Sequence, residues 1–272
     1  MLPIQSMLSG RNPYDIRLYD GAPISPGPGW LFLNIPFGFQ LLHSLLTPAY
    51  FLACSHIWRT LIGENANLPI ILCMFCPIFW SLTGSGSDLV ALGFALLLCF
   101  LVVECYLNSG KSVAWIALLV GTIATSRIIF IGLPVLLGIL FFKRNKAVSI
   151  RFACAGLAVS LVWHLLFWSI SDFYPPLHLI GRGTGNVSAN LMLVAGLLII
   201  YCLFDFFRKQ ENDFYRRLQT YVCVLASALG AIALGELGAV RYDFGLWEGA
   251  SYLFVAAPAV AFAVCAKGMG QK

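Results

Sequence analysis

Asp88-Leu-Val-Ala-Leu-Gly-Phe-Ala-Leu-Leu-Leu-Cys-Phe-Leu-Val-Val-Glu-Cys-Tyr-Leu107 is a run of apolar residues with one acid at its start and one, Glu104, near its end. A helix of that length, at ~1.5 Å per residue, covers the ~30 Å hydrocarbon core of a bilayer. A half-buried strand would alternate polar and apolar residues, which this stretch does not do. The stretch is therefore expected to be a membrane-spanning helix, and working outward from it finds the same pattern repeated.

Apolar helices are expected at about 39–58, 67–83, 88–107, 112–126, 128–142, 148–168, 187–207, 219–238 and 249–267. The fold class is therefore an all-α, polytopic membrane helix bundle with about nine transmembrane helices, because backbone crossing lipid must satisfy its own hydrogen bonds. Composition agrees: 60% of the 272 residues are hydrophobic and 11% charged, against about 25% charged in soluble domains. Residues 1–38 read differently, as an extracytoplasmic loop with an interfacial lead-in, rich in turn residues from Gly10 to Trp30. Residues 39–272 form a single transmembrane helical domain in this reading.

Orientation follows from charge. The formal net charge of +5 comes from short basic clusters at the ends of apolar runs: Lys143, Arg144, Lys146 and Arg151; Arg208, Lys209, Arg216 and Arg217; Lys267 and Lys272. Two helices separate each cluster from the next, so all three can face the cytoplasm together. Such a pattern sets topology and gives no reason to expect a nucleic-acid partner. The opposite face then gathers Asp15, Asp20, Asp88, Asp172, Asp243 and Glu248, with Glu236 just beneath it. Nine cysteines all lie within apolar stretches and read as small membrane side chains. Cys73-x-x-Cys76 has no second pair beside it, and His43, His56 and His164 stand singly, so neither a metal site nor a cofactor is expected.

Charges at bilayer depth cost a few kcal/mol and by default line a polar cavity. Asp88 opens a helix, where the macrodipole also favours it; Arg127 separates two short apolar helices; Glu236 lies in Leu234-Gly235-Glu236-Leu237, within reach of Arg241. Glu104 and Asp205 lie near cytoplasmic ends and are expected to be interfacial or paired with nearby basic residues. The outer segment from Asp172 to Gly185 offers His178 and Arg182 to an anionic headgroup of a membrane lipid.

The order of several short segments resembles the GT-C class of multi-spanning glycosyltransferases: Gly10-Arg11-Asn12-Pro13-Tyr14-Asp15, the run Pro26-Gly27-Pro28-Gly29-Trp30, Gly86-Ser87-Asp88, Thr125-Ser126-Arg127, and Trp247-Glu248-Gly249-Ala250-Ser251-Tyr252. That resemblance implies a mannosyltransferase-like enzyme taking sugar from a polyprenyl-phosphate donor to a lipid or glycan acceptor on the extracytoplasmic side. Asp88 is then the expected catalytic carboxylate, taking a proton from the acceptor hydroxyl, with Arg127, His178, Arg182, Glu236 and Arg241 binding substrate. A bacterial inner membrane is the expected location. Enzymes of this class carry their catalytic Asp in the first outer loop after an initial helix, and only Met1–Ser9 precede Gly10 here. The resemblance therefore implies either an N-terminal truncation, leaving an inactive chain, or a base supplied by Asp15 or Asp20. Two other classes compete: a transporter or flippase of lipid-linked or small polar substrates, which the absence of an internal repeat disfavours, and a non-catalytic membrane protein.

Overall fold

The computed structural model describes residues 2–16, 24, 26–39, 42–63, 67–84, 88–107, 113–170, 174, 176, 187–209, 213–243 and 250–267. Among these the chain is helical throughout and has no strand. The helices are α1 (Leu2–Leu8), α2 (Pro28–Leu33), α3 (Leu46–Ile62), α4 (Asn67–Met74), α5 (Pro77–Gly84), α6 (Asp88–Tyr106), α7 (Val113–Ala124), α8 (Leu133–Phe141), α9 (Lys146–Ser169), α10 (Ala189–Arg208), α11 (Phe214–Ala239) and α12 (Ala250–Lys267). Four of them, α6, α9, α10 and α11, are long and apolar enough to cross a membrane. Shorter apolar helices are also present, at Val113–Ala124, Ile128–Phe141 and Tyr252–Ala266.

Two departures from the expected elements have local causes. The stretch 67–83 is two helices, because Pro77 lacks an amide proton and disfavours helical backbone at Cys76. The stretch 128–142 opens as a 3₁₀ turn at Ile128–Phe130, and α8 proper begins at Leu133 with Pro134 in its first turn. The first long helix starts at Leu46, with short 3₁₀ turns before it.

The chain divides into two compact units: Met1–Ala49 with Tyr106–Gly181, and Tyr50–Cys105 with Arg182–Lys272. In the first unit, α7 and α8 pack on α9 through small residues. A Cβ added to Gly121 would lie 2.5 Å from the Gly156 carbonyl oxygen, and one on Gly138 would lie 2.7 Å from the Ala153 Cβ. Backbones this close gain dispersion contacts that lipid cannot supply, which is how apolar helices associate where water is absent. The Ser160 hydroxyl sits in that seam and contacts the carbonyls of Gly121 at 2.8 Å and Gly156 at 3.0 Å.

In the second unit α6 is buried on nearly every side. Tyr221 of α11 donates its hydroxyl to the Leu96 carbonyl at 2.8 Å, and its ring stacks on Phe100 at 5.1 Å. Lower on the same pair of helices, the Arg217 guanidinium grips Glu104 with two bonds, Nε to Oε2 at 2.9 Å and Nη2 to Oε1 at 2.7 Å. Both side chains are almost fully enclosed, at 2% and 4% exposure. Asp205 likewise pairs with Lys209 and Arg216. By contrast α10, also strongly apolar, buries only Ala195 and Phe206 among its residues, leaving Leu193, Leu197, Ile200 and Phe204 more than half exposed. An apolar face of that extent suits hydrocarbon better than water.

Candidate functional site

Three of the sequence segments singled out above meet in the first unit. The Asn12 side chain accepts the Tyr14 amide at 3.0 Å and starts the 3₁₀ turn Pro13–Asp15, which turns Tyr14 inward and leaves Asp15 exposed. Pro28 then opens α2, and α2 docks on the end of α7: the Trp30 amide donates to the Thr125 hydroxyl at 3.0 Å, and the Gly27 amide reaches the Ser126 carbonyl at 3.3 Å. Only glycine fits at position 27, since a Cβ there would fall 1.8 Å from the Thr125 carbonyl oxygen.

At that junction α7 ends, and the chain passes through extended backbone at Arg127 (φ −144°, ψ 146°) into the 3₁₀ turn. Thr125, Ser126 and Arg127 are all buried. The Arg127 Nη1 donates to the Ser126 carbonyl at 2.9 Å, and its positive charge is felt at the Tyr14 phenol. A buried guanidinium with its donors anchored in this way is a suitable partner for a phosphate oxygen.

A chain of hydroxyls runs beside the arginine. Tyr14 donates to the Pro26 carbonyl at 3.0 Å, and the Tyr174 hydroxyl lies 2.6 Å from Nδ1 of His164 on α9. The two tyrosine rings meet edge to face at 5.2 Å. A carbonyl can only accept, so Tyr14 spends its proton on Pro26. Tyr174 and His164 Nδ1 share a hydrogen bond whose direction follows the imidazole tautomer, and the other ring nitrogen, Nε2, is buried with no hydrogen-bond partner among the described residues. Burial pushes both phenols well above their ordinary range; each also feels the other, and the Arg127 charge opposes the rise at Tyr14. Both tyrosines are hydrogen-bonding groups at any ordinary pH.

The remaining expected residues are distributed otherwise. Asp88 is the first residue of α6 and half-buried, Glu236 is half-buried in the last turn of α11, and Arg241 is exposed just beyond it; all three belong to the second unit. Arg241 and Tyr242 are both held at positive φ, 54° and 63°, a conformation that costs a non-glycine residue about 1 kcal/mol or more. His178, Arg182, Asp20 and Asp172 lie outside the described residues. Among the described residues no three His, Cys, Asp or Glu side chains are grouped to hold a metal. Sequence reading passed over His164 as a packed histidine and did not single out Tyr14 or Tyr174. Their partnership becomes visible only once the end of α9 and the turn at Pro13 are brought together.

Comparison with family models, with curated proteins and with solved structures gives no match. The functional reading therefore rests on the chemistry of the site itself.

Proposed function

We propose that this protein is a membrane glycosyltransferase of the GT-C type, crossing a bacterial inner membrane about nine times and moving a sugar from a polyprenyl-phosphate donor to an extracytoplasmic acceptor. The observation that carries this reading is the convergence of Asn12–Asp15, Pro26–Trp30 and Thr125–Arg127 in one unit, with the Arg127 guanidinium buried and the Asp15 carboxylate exposed. Sugar transfer from a lipid phosphate asks for these two groups. Asp15 would take the proton of the acceptor hydroxyl as that oxygen attacks the anomeric carbon. The bond to the donor phosphate breaks, and Arg127 stabilises the charge that develops on the departing phosphate. Asp88, in the second unit, is the alternative carboxylate. The neutral Tyr14 phenol, bonded to the Pro26 carbonyl, ties the Asp15 turn to the segment that docks on Thr125 and Ser126.

The test is transfer of radiolabelled sugar from polyprenyl-phosphate sugars in membranes carrying the wild type, Asp15→Asn, Asp88→Asn or Arg127→Gln. Loss of a general base or of a cation at the leaving group costs about 10²- to 10³-fold, so transfer by Asp15→Asn and Arg127→Gln is expected to drop by at least that factor at equal protein level. A loss confined to Asp88→Asn would move the base to the second unit. Unchanged transfer in all three variants would remove the assignment.

A further inference from the structure

The second unit contains a cavity of about 270 Å³ that the proposed reaction does not use, lined by Leu72, Cys73 and Cys76, by Phe79, by Val90 and Phe94, and by Phe254, Ala257, Pro258 and Ala261. Its origin can be traced to two sequence features. Gly93 lets α12 lie directly on α6, since a Cβ there would sit 2.6 Å from the Val255 carbonyl oxygen and 3.0 Å from the Pro258 ring. On the other side, the break at Cys76–Pro77 splits one helix into α4 and α5, so no continuous helix fills the space opposite. The lining is entirely aliphatic, aromatic or thiol and presents no charge.

The inner wall is deep inside the protein: Phe94, Val90, Phe79 and Cys73 are all buried. The rim is not. Leu72 is half exposed, and it continues along the outer face of α4 into Leu68, Ile71 and Met74, which are also about half exposed. The cavity is thus continuous with an apolar surface whose only suitable solvent is hydrocarbon. Its volume approaches the lower end of ligand pockets, about 300 Å³. An apolar void does not hold water, so the medium at its mouth decides what enters.

We infer that this cavity is a binding site for the hydrocarbon chain of a bilayer phospholipid, which enters past Leu72 and lies against Phe94 with its headgroup outside the protein. The site depends on the chain being embedded in a membrane and is independent of the transfer reaction. Burying each methylene against the aromatic wall is favourable relative to water but far less so relative to lipid tails. Occupancy therefore follows from the high concentration of acyl chains around the protein and from the shape of the cavity.

The experiment uses the full chain in nanodiscs containing a phosphatidylcholine with a diazirine near the end of one acyl chain. After irradiation, mass spectrometry locates the adducts. Adducts are expected on Phe94, Val90 or Cys73, which surface lipid cannot touch, as well as on outward residues such as Leu193 and Leu197 of α10. Filling the cavity with Ala261→Phe is expected to reduce the inner adducts at least tenfold and leave the α10 adducts unchanged. A second filler, Ala257→Trp, guards against a variant that fails to fold. Adducts on α10 with none on the inner wall would overturn the inference, as would inner adducts that persist in both filled variants. Displacement of the inner adducts by an equimolar amount of polyprenyl phosphate would also overturn it, by assigning the cavity to an isoprenoid chain.

Discussion

Removing one partner of the Glu104–Arg217 pair is expected to be among the most destabilising single changes in the second unit. The two hydrogen bonds, at 2.9 and 2.7 Å, join side chains only 4% and 2% exposed, so neither charge has water to fall back on. Replacing Glu104 by Gln keeps the shape but leaves the guanidinium without its counter-charge, and breaking a buried pair in this way costs about 3–5 kcal/mol. Arg217→Met removes the cation and strands the carboxylate, at a similar cost. Glu104→Leu with Arg217→Met removes both charges, and such apolar replacements are often neutral or stabilising. The double variant is therefore expected to be more stable than either single variant, with a coupling of ~3 kcal/mol. The assay is reversible unfolding by sodium dodecyl sulfate in mixed micelles, read from tryptophan fluorescence across a double-mutant cycle. Trp58 is a suitable reporter because it is fully buried between Phe262 and Phe214 in the same unit. Single variants within about 1 kcal/mol of wild type, or costs that simply add, would refute the idea that the charges depend on each other.

Two further outcomes concern the first unit. Gly27→Ala places a methyl 1.8 Å from the Thr125 carbonyl oxygen, a backbone atom that cannot swing away, so α2 must lift off α7; a loss of more than ~3 kcal/mol is expected, well beyond ordinary overpacking, and protease cleavage near residue 27 should rise in step. The buried phenols of Tyr14 and Tyr174 favour the protonated form in the fold, so their contribution is intact below the unfolded pKa of about 10 and is lost as pH rises above it. Circular dichroism between pH 9 and 11.5 should show wild type destabilised first, while the double Phe variant, though weaker at pH 8, loses less over that interval.

Much of the helical scaffold was legible because bilayer physics writes it plainly. The stretch expected at 88–107 is α6 at Asp88–Tyr106, and 187–207 is α10 at Ala189–Arg208. Capping shows the same link between residue and structure: Asn145, Ser188 and Asp213 each accept an amide from the first turn of the helix they precede. The break at Pro77 was written in the sequence too, but hydrophobicity on both sides hid it. Arg127 stood out because a charge among apolar residues demands an explanation, and the structure places it at a buried chain break. The pairing of Asp205 with Lys209 follows from a spacing of four on one helix, and the Glu104 partner was expected among basic residues without Arg217 being singled out. The Tyr14–Tyr174–His164 group was not legible, because residues scattered over 160 positions have no shared spacing to read. That Asp15 points outward and Tyr14 inward likewise depends on a turn whose direction only packing decides.

The Glu104–Arg217 contact spans 113 residues of sequence, and that distance is also a delay. At about 5–20 residues per second of synthesis, roughly 6–23 s separate the emergence of the acid from that of its arginine. The whole of 106–181 is made within that interval, so the first unit has all its helices before the second has the residue that locks its core. During those seconds α6 holds an acid whose arginine has not yet been made, a task for any factor that shields nascent helices.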